Sequence, residues 1–300
     1  MKRILITGGH GFIGTALTRK LISLGHEIAI FDHSHIVAND VCNYVIFKNK
    51  ILEFKPTHIV HLGMVSKVTN AEKEPIYTRE SIVGGTSNLL DIIKEYGDLE
   101  RLIFASSSTV YGNFVPELSP PSEEHPTNPI NLYGALKLCS EVLIKTYNSV
   151  YGIEYTIVRP SSVYGPYDYN LRVIGRFFLD AITDGVITVN GNNVQVDFSY
   201  IDDVIDGFIE AIFNPNAKNE TFNITRGQTR TLLEAAEIVN SFIPHARVDI
   251  KNKNTLFPNR GAFNVEKARK LLNYNPKIDL SEGINKYAEH MFKHWRDYIK

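Results

Sequence analysis

Ile4-Leu5-Ile6-Thr7-Gly8-Gly9-His10-Gly11-Phe12-Ile13-Gly14 is a short apolar run that breaks into glycines and then opens a segment of helical period. The run reads as a buried strand, and residues 12–24 carry apolar side chains three and four apart, as a helix lying on a sheet does. Gly9, Gly11 and Gly14 fit G-x-G-x-x-G at the strand-to-helix junction. Glycines there let the backbone approach a pyrophosphate, while the helix N-terminus offers it unpaired N–H groups and partial positive charge. Its place in the first βα unit separates this stretch from an ordinary glycine turn. Asp32 ends the next candidate strand, where an acidic side chain accepts hydrogen bonds from ribose hydroxyls and repels a 2′-phosphate. No Arg or Lys stands between Phe31 and Phe47, so NAD is predicted over NADP. Gly8, Gly11, Phe12, Ile13, Gly14 and Asp32 are its predicted contacts.

Outward from this motif the same alternation continues. Short apolar runs at 4–7, 27–31, 58–62, 101–105 and 154–158 alternate with helical segments at 12–24, 75–96 and 131–150. That pattern predicts an α/β fold: a Rossmann, doubly wound parallel sheet with helices on both faces. A further candidate strand is 44–47. Beyond about residue 165 the rhythm loosens, with helices expected at 173–183, 202–213, 231–242, 265–272 and 281–298 and strands at 187–189, 194–200, 221–223 and 247–250. The division expected is a nucleotide-binding domain over 1–165, to which later segments return, and a smaller C-terminal substrate-binding lobe over 166–300. Such a lobe would close over the carboxyl edge of the sheet, where open α/β sheets bind ligands.

Composition excludes several classes. The chain has 300 residues, with 43% hydrophobic and 22% charged, which is ordinary for a globular protein. Its 32 basic and 33 acidic residues are spread along its length, so no nucleic-acid partner is expected. Two cysteines far apart, Cys42 and Cys139, make neither a disulfide framework nor a zinc site, and no metal is predicted. The opening apolar run breaks too early for a signal-peptide core, and no apolar run is long enough to span a membrane. A cytoplasmic protein is expected.

Tyr133 and Lys137 lie four apart in a helical segment and so share one face. A phenol is a poor base at neutral pH, and a neighbouring ammonium favours its phenolate. By itself Y-x-x-x-K is a weak signal. It gains weight from Phe104-Ala105-Ser106-Ser107-Ser108-Thr109-Val110-Tyr111-Gly112, which follows a candidate strand with three consecutive serines. Hydroxyls at a strand's carboxyl end can hydrogen-bond a substrate oxygen whose charge changes during reaction.

These motifs, with Arg159-Pro160-Ser161-Ser162-Val163-Tyr164-Gly165-Pro166 and Asp197-Phe198-Ser199-Tyr200-Ile201-Asp202-Asp203-Val204, resemble an extended short-chain dehydrogenase/reductase. Within it the chain is similar to the NAD-dependent sugar epimerase/dehydratase branch typified by UDP-galactose 4-epimerase. The resemblance reaches Arg260-Gly261 and the Lys267-Ala268-Arg269-Lys270-Leu271-Leu272-Asn273-Tyr274-Asn275-Pro276 ending. It implies Ser107, Tyr133 and Lys137 as catalytic residues, with Tyr133 and Lys137 also at the cofactor. Leu62, Gly63, Pro160 and Val163 would make further NAD contacts, and Ser108, Thr109, Arg172, Arg176 and Arg260 would meet a nucleotide-diphosphate sugar. Tyr133 would take the 4-hydroxyl proton as carbon 4 is oxidised, and return of hydride to the other face of the 4-keto sugar would give the epimer. Dehydratases and decarboxylases of the family usually carry an acid at the place of Thr109, so threonine suits a 4-epimerase. A 4-keto-sugar reductase, a 4,6-dehydratase and a non-catalytic NAD-binding sensor or scaffold remain open. Segments 75–96 and 131–150 resemble the helices of a four-helix homodimer contact.

The chain departs from that pattern in places. Val196 stands where an Arg commonly precedes Asp-Phe and reaches the diphosphate. No Asp-x-x-Asp follows the candidate strand 44–47, so an adenine contact is absent or replaced. His61-Leu62-Gly63-Met64 replaces the usual His-Leu-Ala-Ala, and Ile82 stands where Asn is common.

Overall fold

The computed structural model describes residues 1–34, 36–114 and 120–299. Along the chain run β1 (Arg3–Thr7), α1 (Phe12–Ser23), β2 (Glu27–Phe31), α2 (Tyr44–Phe54), β3 (His58–His61), α3 (Val68–Lys73), α4 (Pro75–Arg79) and α5 (Gly85–Tyr96). Next come β4 (Arg101–Ala105), α6 (Leu132–Tyr151), β5 (Tyr155–Pro160), β6 (Val163–Tyr164), α7 (Val173–Thr183), β7 (Val186–Asn190), β8 (Gln195–Asp197) and β9 (Ser199–Tyr200). The remainder is α8 (Ile201–Phe213), β10 (Glu220–Ile224), β11 (Thr229–Thr231), α9 (Leu232–Phe242), β12 (Arg247–Lys251), α10 (Glu266–Leu272) and α11 (Leu280–His294).

Six strands form one parallel sheet in the order β10-β5-β4-β3-β1-β2. The near-continuous apolar runs are what a sheet covered on both faces requires. Ile4, Ile6, Val60, Ile103 and Val158 point into one core, while Leu5, Ile59, Leu102, Phe104 and Ile157 point into the other. The first face is covered by α1 and α8, and its core continues into residues of α7, α9 and α11. The second is covered by α2, α5 and α6. After β2 the chain crosses to the other side of β1, so the sheet's winding reverses at β1 and β3 and opens a crevice beyond their carboxyl ends. Over that crevice lie three two-stranded pairs, β6 with β9, β7 with β12 and β8 with β11.

Three expectations are corrected. Residues 44–47 are the first turn of α2, not a strand: Asn43 Oδ1 caps the helix by accepting from Ile46 N at 3.3 Å, and Phe47 and Ile51, one turn apart, are buried. The segment 75–96 is not one helix, because α4 passes into a π turn (Glu80–Gly84) before α5. The strand 194–200 divides at Phe198, its halves pairing with β11 and β6.

Candidate active site

Close backbone packing shapes the cofactor end. Gly8 has φ +69°, and its N–H donates to Phe31 O at 3.0 Å, tying the loop to β2. A Cβ on Gly14 would stand 2.1 Å from Gly8 O, so no other residue fits at the first turn of α1. That helix starts at Gly11 with no side-chain cap, which leaves its first N–H groups to the crevice. Asp32 is buried; its Oδ2 accepts from His10 N at 2.9 Å and its Oδ1 from Ser34 N at 2.9 Å and Ser34 Oγ at 2.7 Å. Burial pushes its carboxyl up, but these hydrogen bonds outweigh burial and hold it below the usual carboxylate value. Thr7 Oγ1 accepts from Leu62 N (3.1 Å) and Gly63 N (2.9 Å) and meets His61 Nδ1 at 2.8 Å, drawing the turn after β3 against the glycine loop.

The catalytic candidates converge from β4 and α6. Asn131 Oδ1 caps α6 by accepting from Gly134 N at 2.8 Å, which fixes the turn bearing Tyr133. Tyr133 is buried and hydrogen-bonded to Ser107, whose Oγ accepts from Thr109 N at 3.2 Å and Thr109 Oγ1 at 2.9 Å. Burial pushes the Tyr133 phenol up to about 12, against the charge of Arg172 and the Ser107 bond, which lower it. Lys137 is buried too, and its ammonium donates to Ala105 O at 2.7 Å. Desolvation brings it down to about 7.

The three serines differ in use. Ser106 donates to Glu141 Oε1 at 2.5 Å, and Arg159 grips the same carboxylate at 2.9 and 2.6 Å, a buried network behind the site. Ser107 faces Tyr133. Ser108 Oγ accepts from Arg260 at 3.1 Å, and Ser162 Oγ takes the other arm of that guanidinium at 3.3 Å.

The predicted contact and catalytic residues line one cleft of about 980 Å³ at the carboxyl edge of the sheet: Gly8, Gly11, Phe12, Ile13, Gly14, Asp32, Leu62, Gly63, Ser107, Ser108, Thr109, Tyr133, Lys137, Pro160, Val163, Arg172, Arg176 and Arg260. Their surroundings differ. Arg172 is paired with Asp168 at 2.5 Å and lies 5.3 Å from the Phe12 ring centre, and Arg176 reaches Asp180 at 3.5 Å. Arg260 rests on hydroxyls, with no ion pair within 4.0 Å among the described residues; desolvation brings it down to about 10. Val196 lines the wall without any charge.

Among the lining residues that were not singled out, three bear directly on the site. Ser162 holds Arg260 from a left-handed backbone, φ +38°. Lys67 faces the cleft, its ammonium disfavoured by burial and then by Arg172 and Arg176. Asp40 accepts from Cys42 N at 2.9 Å and from Tyr77 OH at 3.4 Å beside the glycine-loop end. The signal for Asp40 was present: Asp40-Val41-Cys42-Asn43 stands directly before an apolar run, but at a helix start rather than after a strand.

Comparison with known proteins bears on this arrangement. The sequence model of the NAD dependent epimerase/dehydratase family matches residues 4–225. A protein of Methanocaldococcus jannaschii named "Putative UDP-glucose 4-epimerase" is 32% identical, over 96% of this chain and 98% of that protein. The crystal structure of the Thermotoga maritima UDP-glucose 4-epimerase with UDP-glucose superposes with a TM-score of 0.90 at 25% identity, covering 98% of this chain and 99% of that one. The Thermus thermophilus UDP-glucose 4-epimerase in complex with NAD gives 0.88 at 26% identity, covering 97% and 99%.

Proposed function

The chain belongs to the NAD dependent epimerase/dehydratase family, and from that premise we propose that it is an NAD-dependent nucleotide-sugar 4-epimerase. One observation carries the choice within the family. Among the described residues the cleft carboxylates are Asp32, Asp40 and Glu74, none of them on the β4–α6 wall, where the tyrosine stands beside neutral Ser107 and Thr109. Inverting a carbinol centre needs one group that takes and returns one proton, whereas eliminating water or carbon dioxide calls for further acid–base groups at the neighbouring carbons. Thr109 supplies none.

The residues present fit NAD. The open N–H groups at Phe12–Gly14 suit a pyrophosphate, the Asp32 carboxylate a ribose diol, and Asp40 an adenine amine, while Leu62, Gly63, Pro160 and Val163 line the route toward Tyr133. When bound, NAD supplies the oxidising and then the reducing equivalents at carbon 4. Tyr133 accepts the 4-hydroxyl proton and later gives it back. Ser107 hydrogen-bonds the same oxygen as its charge changes, and Lys137 stabilises the phenolate. Arg260, braced by Ser108 and Ser162, meets the diphosphate in place of the arginine missing at Val196, with Arg172 and Arg176 beside it.

A homodimer through α5 and α6 and a cytosolic setting complete the reading. Cys42 and Cys139 are free, and among the described residues no helix is long and apolar enough to cross a membrane. The test is to incubate the NAD-loaded enzyme with UDP-, GDP-, CDP- and dTDP-sugars and resolve the products by NMR. An epimer formed with no net change in nicotinamide absorbance is expected. Stoichiometric cofactor use would indicate a reductase, loss of water a dehydratase, and bound NAD with no product from any sugar a sensor.

A further inference from the structure

Two cations of the cleft wall stand near each other with no carboxylate to pair them. Arg260 is held by the hydroxyls of Ser108 and Ser162. Lys253, which follows β12, lines the same cleft, and its ammonium donates to the amide oxygen of Asn259, the residue next to Arg260. Among the described residues no carboxylate oxygen lies within 4.0 Å of either head. Each feels the other: burial, then the charge of Arg260, disfavours the Lys253 ammonium. Asp197 attracts Arg260 from further off, its oxygens already taken by the N–H groups of Gly227 and Phe263. Neighbouring cations are neutralised instead: Arg172 by Asp168, Arg176 by Asp180, and Lys251 by Asp249 at 2.7 Å.

The backbone brings the two heads together from different sides. Gly191, between β7 and β8, has φ +93°, and a Cβ there would stand 2.7 Å from Val194 Cγ2 and 3.1 Å from Lys253 Cβ. Glycine therefore lets the segment after β12 close on that turn, where Gly191 N donates to Lys251 O at 2.9 Å. Asn259 N donates to Asn113 Oδ1 at 2.7 Å and Phe114 N to Asn259 O at 3.0 Å, which fixes the segment bearing Arg260 to the loop after β4. A recess of about 350 Å³ opens there, lined by Gln195, Lys253, Asn259 and Arg260 among others. The β8–β11 pair adds no free charge to it. Val196 is apolar, and Arg230, its partner in the register, turns to Glu234 at 3.8 Å.

We propose that Lys253 is a substrate-binding residue, the second cation of a clamp that it forms with Arg260 on the diphosphate of the nucleotide sugar. This rests on the reading of the substrate as a nucleotide-diphosphate sugar. Like charges held near each other by neutral groups repel and lose solvation, and an anion bound to both relieves both costs. A diphosphate diester carries one negative charge on each phosphate, so Arg260 alone leaves one of them unmatched. The two side chains suit different tasks: a guanidinium grips two oxygens in a fixed fork, while an ammonium on a flexible stem follows a single charge. The pyrophosphate of NAD has the N–H groups at the start of α1, which leaves this pair to the substrate.

The test reads binding, not turnover. The NAD-loaded protein is titrated by calorimetry with UDP, GDP, CDP and dTDP, and the tightest of the four is then used on the variants. Lys253→Gln keeps a donor for Asn259 but removes the charge, and is expected to weaken binding about ten- to a hundredfold, as loss of a charged hydrogen bond does. Lys253→Arg, which keeps the charge, is expected to stay within about threefold of wild type. Lys251→Gln, two residues away on an exposed ion pair, is expected to bind as wild type does. Wild-type affinity in Lys253→Gln would overturn the proposal, since lysine would then serve only to hold Asn259. Equal losses in the Gln and Arg variants would overturn it too, because packing alone would explain them. A wild-type protein that binds none of the four nucleotides would overturn the nucleotide-sugar reading itself, and the clamp with it, an outcome distinct from either failure above.

Discussion

Burial acts on Tyr133 and Lys137 in opposite senses, disfavouring phenolate on one and ammonium on the other, so each needs the other's charge. For Lys137 the consequence for stability has a definite sign. Its folded value of about 7 lies below the ordinary lysine value, so between the two the unfolded chain binds more protons. Stability therefore rises with pH through that window, and below about pH 7 the folded protein carries the full penalty of a buried cation. Lys137→Met is expected to be inactive yet more heat-stable than wild type at about pH 6, with a gain that shrinks toward pH 10. Thermal unfolding of the cofactor-free proteins checks this; a gain independent of pH, or a loss at the acid end, would contradict it. The same scale shows what could be read in advance. Gly14, Asp32, Tyr133 and Lys137 are bound by spacing to a strand end or a helix face, and spacing is visible in a sequence. Ser162 and Lys67 belong to the cleft through the directions of their side chains, which no spacing records.

Among elements, α6 does most to assemble the site. Asn131 caps it, Tyr133 and Lys137 project from its first turns, and Glu141 anchors the network behind Ser106. Its far side leaves Val142 56% and Val150 62% exposed, and Tyr147 OH donates to Asp91 of α5 at 2.7 Å, joining the two helices into one surface. That surface is the dimer face proposed above. The wild-type protein is expected to sediment as a dimer and Val142→Glu as a monomer; a monomeric wild type would refute the assignment. Helix α6 was legible because its apolar residues keep one period for five turns. Residues 44–47 were not, because Tyr44-Val45-Ile46-Phe47 has the composition of a strand while the Asn43 cap and the Phe47/Ile51 spacing make it a helix. The break in 75–96 lies in a π turn, which a periodicity argument passes over.

For the whole molecule, the fold class was open to a reader of the sequence because strands buried on both faces leave uninterrupted apolar runs between segments of helical period. The strands over the cleft have two to five residues and pair with distant partners, such as β7 with β12, so local pattern placed them without their pairing. One buried core runs from the sheet through α1 and α8 to α7, α9 and α11, so these helices pack onto the sheet where the cleft opens. Epimerisation through a ketone needs the oxidised sugar to stay in the cleft, since only a retained sugar can be reduced again from its other face. The most direct measurement takes the nucleotide sugar the enzyme accepts, with deuterium at carbon 4, and follows the product by NMR. Transient oxidation at that carbon predicts an epimer that keeps its deuterium at carbon 4, with none appearing in water. An epimer whose deuterium has washed into solvent would contradict it, showing that the centre was inverted by deprotonation and not by removal and return of the same hydrogen.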